Sequence, residues 1–142
     1  MVTEKALLPV LDLNEYPNSV VDVFVELPQT EAGSRCAGIC AASMALADAG
    51  LCMRDMVSAV SVGRVDNAIV ADLDYFEEAY DEGPVADIPV AMIHRTNEIS
   101  LLQMDGEITD EMLFRAIELA KNACSQIYEV QKAALKEKYR SE

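Results

Sequence analysis

The sequence is short of basic residues, and this shortage limits what its surface can bind. Its 142 residues include 11 Lys and Arg against 25 Asp and Glu, which gives a formal net charge of -14 at pH 7. Contact with a nucleic-acid backbone depends on basic side chains that displace counterions, so the chain's own surface is unsuited to broad contact of that kind. A partner would have to supply the positive charge.

Cysteine and histidine are also too sparse for a zinc site or a disulfide framework. Cys36, Cys40, Cys52 and Cys124 show no C-x-x-C spacing, and His94 is the single histidine. Because structural zinc is held by closely spaced Cys and His ligands, the sequence offers no zinc set. We expect the four cysteines to be buried free thiols without disulfides.

Long apolar runs are missing as well. The chain has no stretch of about eighteen apolar residues, the minimum for a membrane-spanning helix. Residues 1–5 lack the charged-then-apolar layout of a secretory signal. We therefore expect no membrane association and a cytoplasmic location.

The apolar residues that are present make up 51% of the chain and suit one globular domain spanning residues 1–142. Their spacing predicts helices and strands, of which the two later strand pairs should form hairpins and the alanine-rich second helix should lie buried centrally. In order, the elements are helix 3–13, strand 19–27, helix 34–49, strands 56–63 and 68–73, strands 86–94 and 99–104, and helix 109–139. This order predicts a layered α/β or α+β domain whose helices cover a mixed β-sheet.

The turn between strand 19–27 and helix 34–49 has the composition of a phosphate site. It reads Glu-Ala-Gly-Ser-Arg-Cys at residues 31–36. Gly33, Ser34 and Arg35 would offer a small oxyanion free backbone N–H groups, the positive end of a helix dipole and one guanidinium. A plainer interpretation is that Ser34 is the helix N-cap and Arg35 a surface charge. The six residues alone leave both interpretations open.

A second candidate site is the acidic segment at residues 72–87, which contains no Lys or Arg. Such crowding suits divalent metal binding, or a carboxylic acid whose pKa is raised by like-charged neighbours until it donates a proton near neutral pH. It equally suits a solvated loop. Asp87 differs because it opens an apolar strand, which holds a carboxylate more firmly than a loop tip does. The seven carboxylates are Asp72, Asp74, Glu77, Glu78, Asp81, Glu82 and Asp87.

Several segments, taken in order, are similar to those of a known family. They are Val-Asp-Val-Phe-Val-Glu at 21–26, Ala-Gly-Ser-Arg at 32–35, Ala-Leu-Ala-Asp-Ala-Gly at 45–50, Met-Arg-Asp at 53–55, Ala-Asp-Ile-Pro-Val at 86–90 and Leu-Leu-Gln-Met-Asp-Gly at 101–106. With them the chain resembles the RNase PH family nearly from end to end, and most closely the catalytic RNase PH-like subunits of archaeal exosomes. The resemblance implies the RNase PH-like fold, of the ribosomal protein S5 domain 2-like type.

The resemblance also implies a phosphorolytic 3'-to-5' exoribonuclease, in which inorganic phosphate is a co-substrate and nucleoside diphosphates are released. On this basis Gly33, Ser34 and Arg35 hold the attacking phosphate. Glu78 falls where the family has the aspartate proposed as general acid, so its side chain is one methylene longer. Asp87 matches the second family carboxylate, which lies near a divalent metal, Mg²⁺ or Mn²⁺.

The resemblance covers roughly the second half of such a subunit, so we expect the N-terminal half of the fold to be absent and the fragment alone to be inactive. The implied partners are RNA, a second RNase PH-like subunit in a hexameric ring, and S1/KH-type RNA-binding cap subunits. The alternative is a non-catalytic RNase PH-like scaffold subunit, although Gly33, Ser34 and Arg35 argue against it. A third interpretation, an acidic metal-binding or adaptor domain, rests on the carboxylates alone.

Overall fold

The structure is a computed structural model that describes residues 2–140. Met1, Ser141 and Glu142 lie outside the described residues, and the single domain spanning 1–142 stays a prediction. The elements are α1 (Val2–Leu7), α2 (Ser34–Asp48), β1 (Val57–Val65), β2 (Ala68–Ala71), α3 (Tyr75–Glu78), β3 (Val85–Ile93), β4 (Glu98–Leu102), β5 (Asp105–Gly106) and α4 (Asp110–Lys138). Two 3-10 turns, Leu8–Val10 and Leu13–Glu15, follow α1. None of the described helices is long and apolar enough to cross a membrane.

The strands form one sheet in the order β2-β1-β3-β4, and the short β5 pairs with the first part of β3. Both predicted hairpins are confirmed: β1 pairs with β2, and β3 with β4. Asp66 and Asn97 adopt positive φ in the two turns, a conformation that Asp and Asn tolerate well. Every described pair is antiparallel, so the layered α+β class is confirmed but the expected mixed sheet is wrong.

Helices cover both faces of the sheet because the residues of β1 and β3 alternate in direction. One face packs Val57, Ala59 and Ala91 against α1 and α2. The other packs residues such as Val62 and Ile88 against the apolar stripe of α4. Helical spacing predicts this long helix, and Ala116, Ala120 and Cys124 are buried members of its apolar stripe.

Helix side chains form hydrogen bonds with the backbone of β1 where β2 does not pair with it. The Val57 N–H donates to Ser43 Oγ at 2.8 Å, and the Ala59 N–H donates to Cys40 Sγ at 3.1 Å. Gln131 Nε2 donates to the Val57 carbonyl at 3.2 Å. A buried strand edge with unpaired backbone groups would be costly, so these contacts fix where α2 lies along the sheet.

Residues 19–27 do not form the predicted strand. No described strand pairs with them, and a β-strand needs a neighbouring backbone for its N–H and C=O groups. The valines of this segment still differ by side: Val21, Val23 and Val25 lean towards α1 and α2 and are 42% to 48% exposed. Val20 and Phe24, on the other side, are 84% and 86% exposed. The predicted strand is wrong because the described chain supplies no partner strand.

Three smaller expectations also need correction. The first helix ends at Leu7 instead of residue 13, continuing as the two 3-10 turns. The alanine-rich α2 buries one face only, with Ala37, Ala41 and Ala45 exposed along the other. Cys52 is exposed, although Cys36 and Cys124 are buried and all four thiols are free.

Candidate functional site

The N-terminus of α2 presents backbone donors that its own helix does not use. Gly33 is the N-cap, with a φ of 69° that favours glycine, and it has no side chain to cap the helix. Its carbonyl accepts from the amides of Cys36 and Ala37, which leaves the first-turn amides of Ser34 and Arg35 without an intrahelical acceptor. The interpretation of Ser34 as the N-cap is therefore wrong, and the helix end is open to an anion.

Arg35 extends from this first turn and is exposed, but it is not a free surface charge. Its Nη1 donates to Gln103 Oε1 at 2.7 Å. Gln103 directly follows β4, and its own N–H donates to the Pro89 carbonyl of β3 at 3.1 Å. The guanidinium is thus tethered across the sheet edge, and within residues 2–140 it forms no ion pair.

Asp87 lies near the start of β3, opposite Gly63 of β1. Its Oδ1 accepts a hydrogen bond from the hydroxyl of Ser61, a side chain that is 1% exposed. Leu73, fully buried, packs over Gly63, where an added Cβ would come within 3.0 Å of the leucine and 2.1 Å of the Ala86 carbonyl. The close packing at Gly63 anchors the beginning of the acidic segment beside Asp87.

The acidic segment then folds into the short helix α3, which brings Glu78 to Asp87. Asp74 and Glu77 form a reciprocal capping box: Asp74 Oδ1 accepts from the Glu77 N–H, and Glu77 Oε2 accepts from the Asp74 N–H. Glu78 is half-buried, and burial raises the pKa of its carboxyl group, with the charge of Asp87 adding to the rise and Arg35 opposing it. The Glu77 side chain caps its own helix, whereas the pKa of Glu78 is affected by both Asp87 and Arg35.

A further carboxylate borders the helix end. Asp72 has a φ of 61° and donates its N–H to the Ser61 carbonyl at 2.7 Å. Its Oδ1 lies 3.7 Å from the point where a Cβ on Gly33 would be. Gly33, Ser34 and Asp72 line one end of a cleft of about 500 Å³ that continues to Leu27 and Ile127. A ligand at the α2 N-terminus would therefore contact backbone N–H groups of the helix and lie close to the Asp72 carboxylate.

The remaining carboxylates divide between solvent and the helix cap. Asp81 and Glu82 are exposed, as expected for a solvated loop. In residues 2–140 no group of three or more Asp, Glu, His or Cys side chains is arranged to hold a metal ion by itself. Mg²⁺ often keeps several waters and binds through one or two carboxylates plus substrate phosphates, so Asp87 by itself fits that ligand chemistry.

Comparison of the sequence with known families bears directly on this arrangement. The sequence model for domain 1 of the 3' exoribonuclease family matches residues 1–51, and the model for domain 2 matches residues 55–123. The chain belongs to the RNase PH family of 3' exoribonucleases. The junction between the two matches falls just after α2, so the phosphate-site turn belongs to the first RNase PH domain and Asp87 to the second.

Among curated RNase PH relatives, proteins named exosome complex component Rrp41 are similar to most of this chain. The Methanopyrus kandleri protein is 47% identical over 138 residues, covering 97% of this chain and 56% of its own length. The Thermococcus gammatolerans and Pyrococcus furiosus proteins are 50% and 49% identical over the same length, each covered to 54%. The chain spans about half the length of the curated relatives it matches.

A solved structure confirms the RNase PH-like fold. The crystal structure of rice (Oryza sativa) Rrp46 superposes with a TM-score of 0.85, covering 94% of this chain and 62% of the rice chain. The sequences are 19% identical, so this likeness concerns the fold alone.

Sequence reasoning placed the RNase PH site at five residues and missed three that support it. The structure brings Glu78 within electrostatic reach of both Asp87 and Arg35, with Gly33 and Ser34 at the helix end that carries Arg35. The missed residues are Ser61, Asp72 and Gln103. Asp72 lies in the acidic segment and Gln103 in the family segment at 101–106, so the sequence already pointed to both regions. Ser61 could not be identified in this way, because a serine inside an apolar strand has no distinctive spacing.

Proposed function

We propose that this chain forms the phosphorolytic part of a 3'-to-5' exoribonuclease subunit of an archaeal exosome. One observation supports this above the others: open helix amides and a tethered guanidinium lie beside a carboxyl group whose pKa is raised. Phosphoryl transfer requires charge neutralisation and positioning more than covalent catalysis. These residues supply an anion-binding end and an acid in one place.

In the proposed reaction, inorganic phosphate is held by the amides of Ser34 and Arg35 and by the Arg35 guanidinium. Gly33 allows the phosphate to approach the backbone closely, since it has no Cβ. An oxygen of this phosphate attacks the phosphorus of the last phosphodiester of the RNA. The bond from that phosphorus to the 3' oxygen of the preceding nucleotide breaks, and a nucleoside diphosphate leaves.

Glu78 is the proposed general acid. The departing 3' oxygen needs a proton, and a carboxyl group with a raised pKa retains one closer to neutral pH than an ordinary glutamate does. Burial and Asp87 both raise the pKa of Glu78. The rate should therefore fall as the pH rises above this pKa, because the fraction of Glu78 that carries a proton decreases.

Asp87 is the proposed ligand of a divalent metal ion, Mg²⁺ or Mn²⁺. Such an ion would neutralise charge on the reacting phosphates. The chain's own contribution is to fix Asp87 in the strand through the Ser61 hydroxyl, which leaves its second oxygen available.

Assembly is proposed from the relatives, which are components of exosome complexes by name. We propose that the chain acts with RNA, with a second RNase PH-like subunit in a hexameric ring, and with S1/KH-type cap subunits. The net charge of -14 supports a division of labour in which other parts of the assembly contact the RNA backbone.

A phosphate-dependent degradation assay tests the proposal. The chain alone, and a version carrying the remaining half of a relative such as the Methanopyrus kandleri protein, would be supplied with a labelled RNA and with the partner subunit. Release of nucleoside diphosphates that requires inorganic phosphate and the added half supports the proposal. Ring assembly without any degradation would instead favour the scaffold subunit, the alternative function.

Substitution of Arg35 tests the proposed phosphate site in the active assembly. Arg35→Ala removes the one guanidinium at the helix end, so the phosphate KM should rise on the order of tenfold to a hundredfold, as expected for a lost charge-assisted hydrogen bond. Arg115→Ala, on the exposed face of α4, is the matched control. A phosphate KM unchanged by Arg35→Ala would remove Arg35 from this role.

A further inference from the structure

The contact between Arg35 and Gln103 stands out because of the kind of partner that the arginine has. The sequence has 25 Asp and Glu residues, yet within residues 2–140 the one side-chain acceptor for this guanidinium is a neutral amide oxygen, at 2.7 Å. A guanidinium has no acceptor of its own, so the amide must present its oxygen to it. A carboxylate in that place would hold Arg35 equally well, but it would cancel the charge.

Gln103 is itself well anchored. It is half-buried, it follows the last residue of β4, and its backbone N–H pairs with the Pro89 carbonyl two residues beyond Asp87. The amide that holds Arg35 and the strand that carries Asp87 are therefore parts of one hydrogen-bonded sheet. An exposed arginine otherwise samples many rotamers, and ordering them on binding costs affinity.

We propose that Gln103 is a positioning residue that preorganises Arg35 for an oxyanion at the α2 N-terminus while leaving its positive charge unpaired. The inference rests on the proposed function, since it concerns the same phosphate site. It adds Gln103, a residue outside the turn at 31–36, to that site. Because the Gln103 side chain is uncharged, it can orient the Arg35 guanidinium without cancelling its positive charge.

Binding of inorganic phosphate to the chain tests this without requiring RNA degradation. The amide shifts of Ser34 and Arg35 would be followed by NMR as phosphate is added at constant ionic strength. Gln103→Leu removes the acceptor and should weaken phosphate binding on the order of tenfold, in line with a lost hydrogen bond to a charged group. Gln103→Glu keeps an acceptor but adds a negative charge, so it should weaken binding at least as much without lowering Tm.

Two further variants separate positioning from a general effect on folding. In an Arg35→Ala background, Gln103→Leu should change the remaining phosphate affinity less than twofold, because the group it positions is gone. Asn122→Leu, which removes an exposed amide on α4, should leave affinity unchanged and serves as the control.

The outcomes distinguish failure of the inference from failure of the proposed function. Phosphate binding that Gln103→Leu or Gln103→Glu leaves intact would overturn the positioning role alone. A Gln103→Leu effect that persists fully in the Arg35→Ala background would overturn it too. An unaltered chain that does not bind phosphate at millimolar concentration would overturn the phosphate site itself, and the inference with it.

Discussion

Glu78 is held in the candidate site at a cost to the folded state. Its carboxyl group is half-buried beside the like charge of Asp87, and both effects disfavour the ionised form. A group whose pKa is raised by folding binds its proton more tightly in the folded chain, so ionisation at neutral pH lowers stability. Such residues are commonly kept where their proton is used.

Glu78→Gln should therefore stabilise the chain at pH 7 while abolishing the proposed acid. Because the raised pKa penalises the ionised form, the gain in Tm should be fully present above the pKa of Glu78 in the folded chain. It should shrink as the pH falls through that value and vanish below the usual pKa of glutamate. Thermal unfolding from pH 3 to pH 8 measures this, with the exposed Glu82→Gln as control. A Tm lowered at pH 7 would contradict it.

Ser58 and Ser61 offer a matched pair on one strand. Both are 1% exposed, but Ser61 donates to Asp87 whereas the Ser58 hydroxyl has no partner. Ser61→Ala should lower the free energy of unfolding by about 1.5–3 kcal/mol, the usual loss for a hydrogen bond to a charged group. Ser58→Ala should leave it unchanged or raise it. Urea unfolding of both variants decides, and equal destabilisation would show that the bond to Asp87 contributes nothing.

At the scale of elements, α3 matters more than its four residues indicate. It is too short to be stable alone, and its capping box and the anchoring of Leu73 over Gly63 hold it in place. Through α3 the acidic segment positions Glu78 beside Asp87 at the start of β3. The solvated-loop interpretation holds for Asp81 and Glu82 but not for Glu78.

Asp74→Ala should disorder α3 and release Glu78 from the site. Loss of an N-cap costs about 0.5–2 kcal/mol, which exceeds what a single turn can lose and remain formed. The pKa of Glu78, followed by NMR, should fall towards the usual glutamate value, since both burial and the nearby Asp87 raise it in the intact site. Asp81→Ala, in the exposed part of the same segment, is the control. An unchanged pKa in Asp74→Ala would mean that other contacts hold Glu78.

At the scale of the whole molecule, residues 19–27 are an apolar segment that the described sheet does not accommodate. Amides of residues 20–27 donate no hydrogen bond within the described chain, and Phe24 projects into solvent. The chain spans about half the length of its curated relatives, and we expect this segment to gain backbone partners when the remaining half of a relative is supplied.

Hydrogen exchange should expose this difference. In the chain alone, amides of residues 20–27 should exchange near the rate of an unfolded peptide, while those of β1 that pair with β3 should be strongly protected. Mass spectrometry or NMR of the chain would measure both. Addition of the remaining half of a relative should slow exchange at residues 20–27. Protection of these residues in the isolated chain would contradict the structure.

By itself the sequence determined the hairpins, the long helix α4, the turn at 31–36 and the family, because these depend on local spacing and on ordered motifs. It also named Glu78, Asp87 and Arg35 as candidates. Only the tertiary structure decided that β1 is completed by Ser43 and Cys40, that residues 19–27 remain without a strand partner, and that Gln103 and Ser61 hold the site. Those outcomes depend on hydrogen bonds between residues far apart in the chain, and no local pattern records which distant group a buried donor or acceptor will meet.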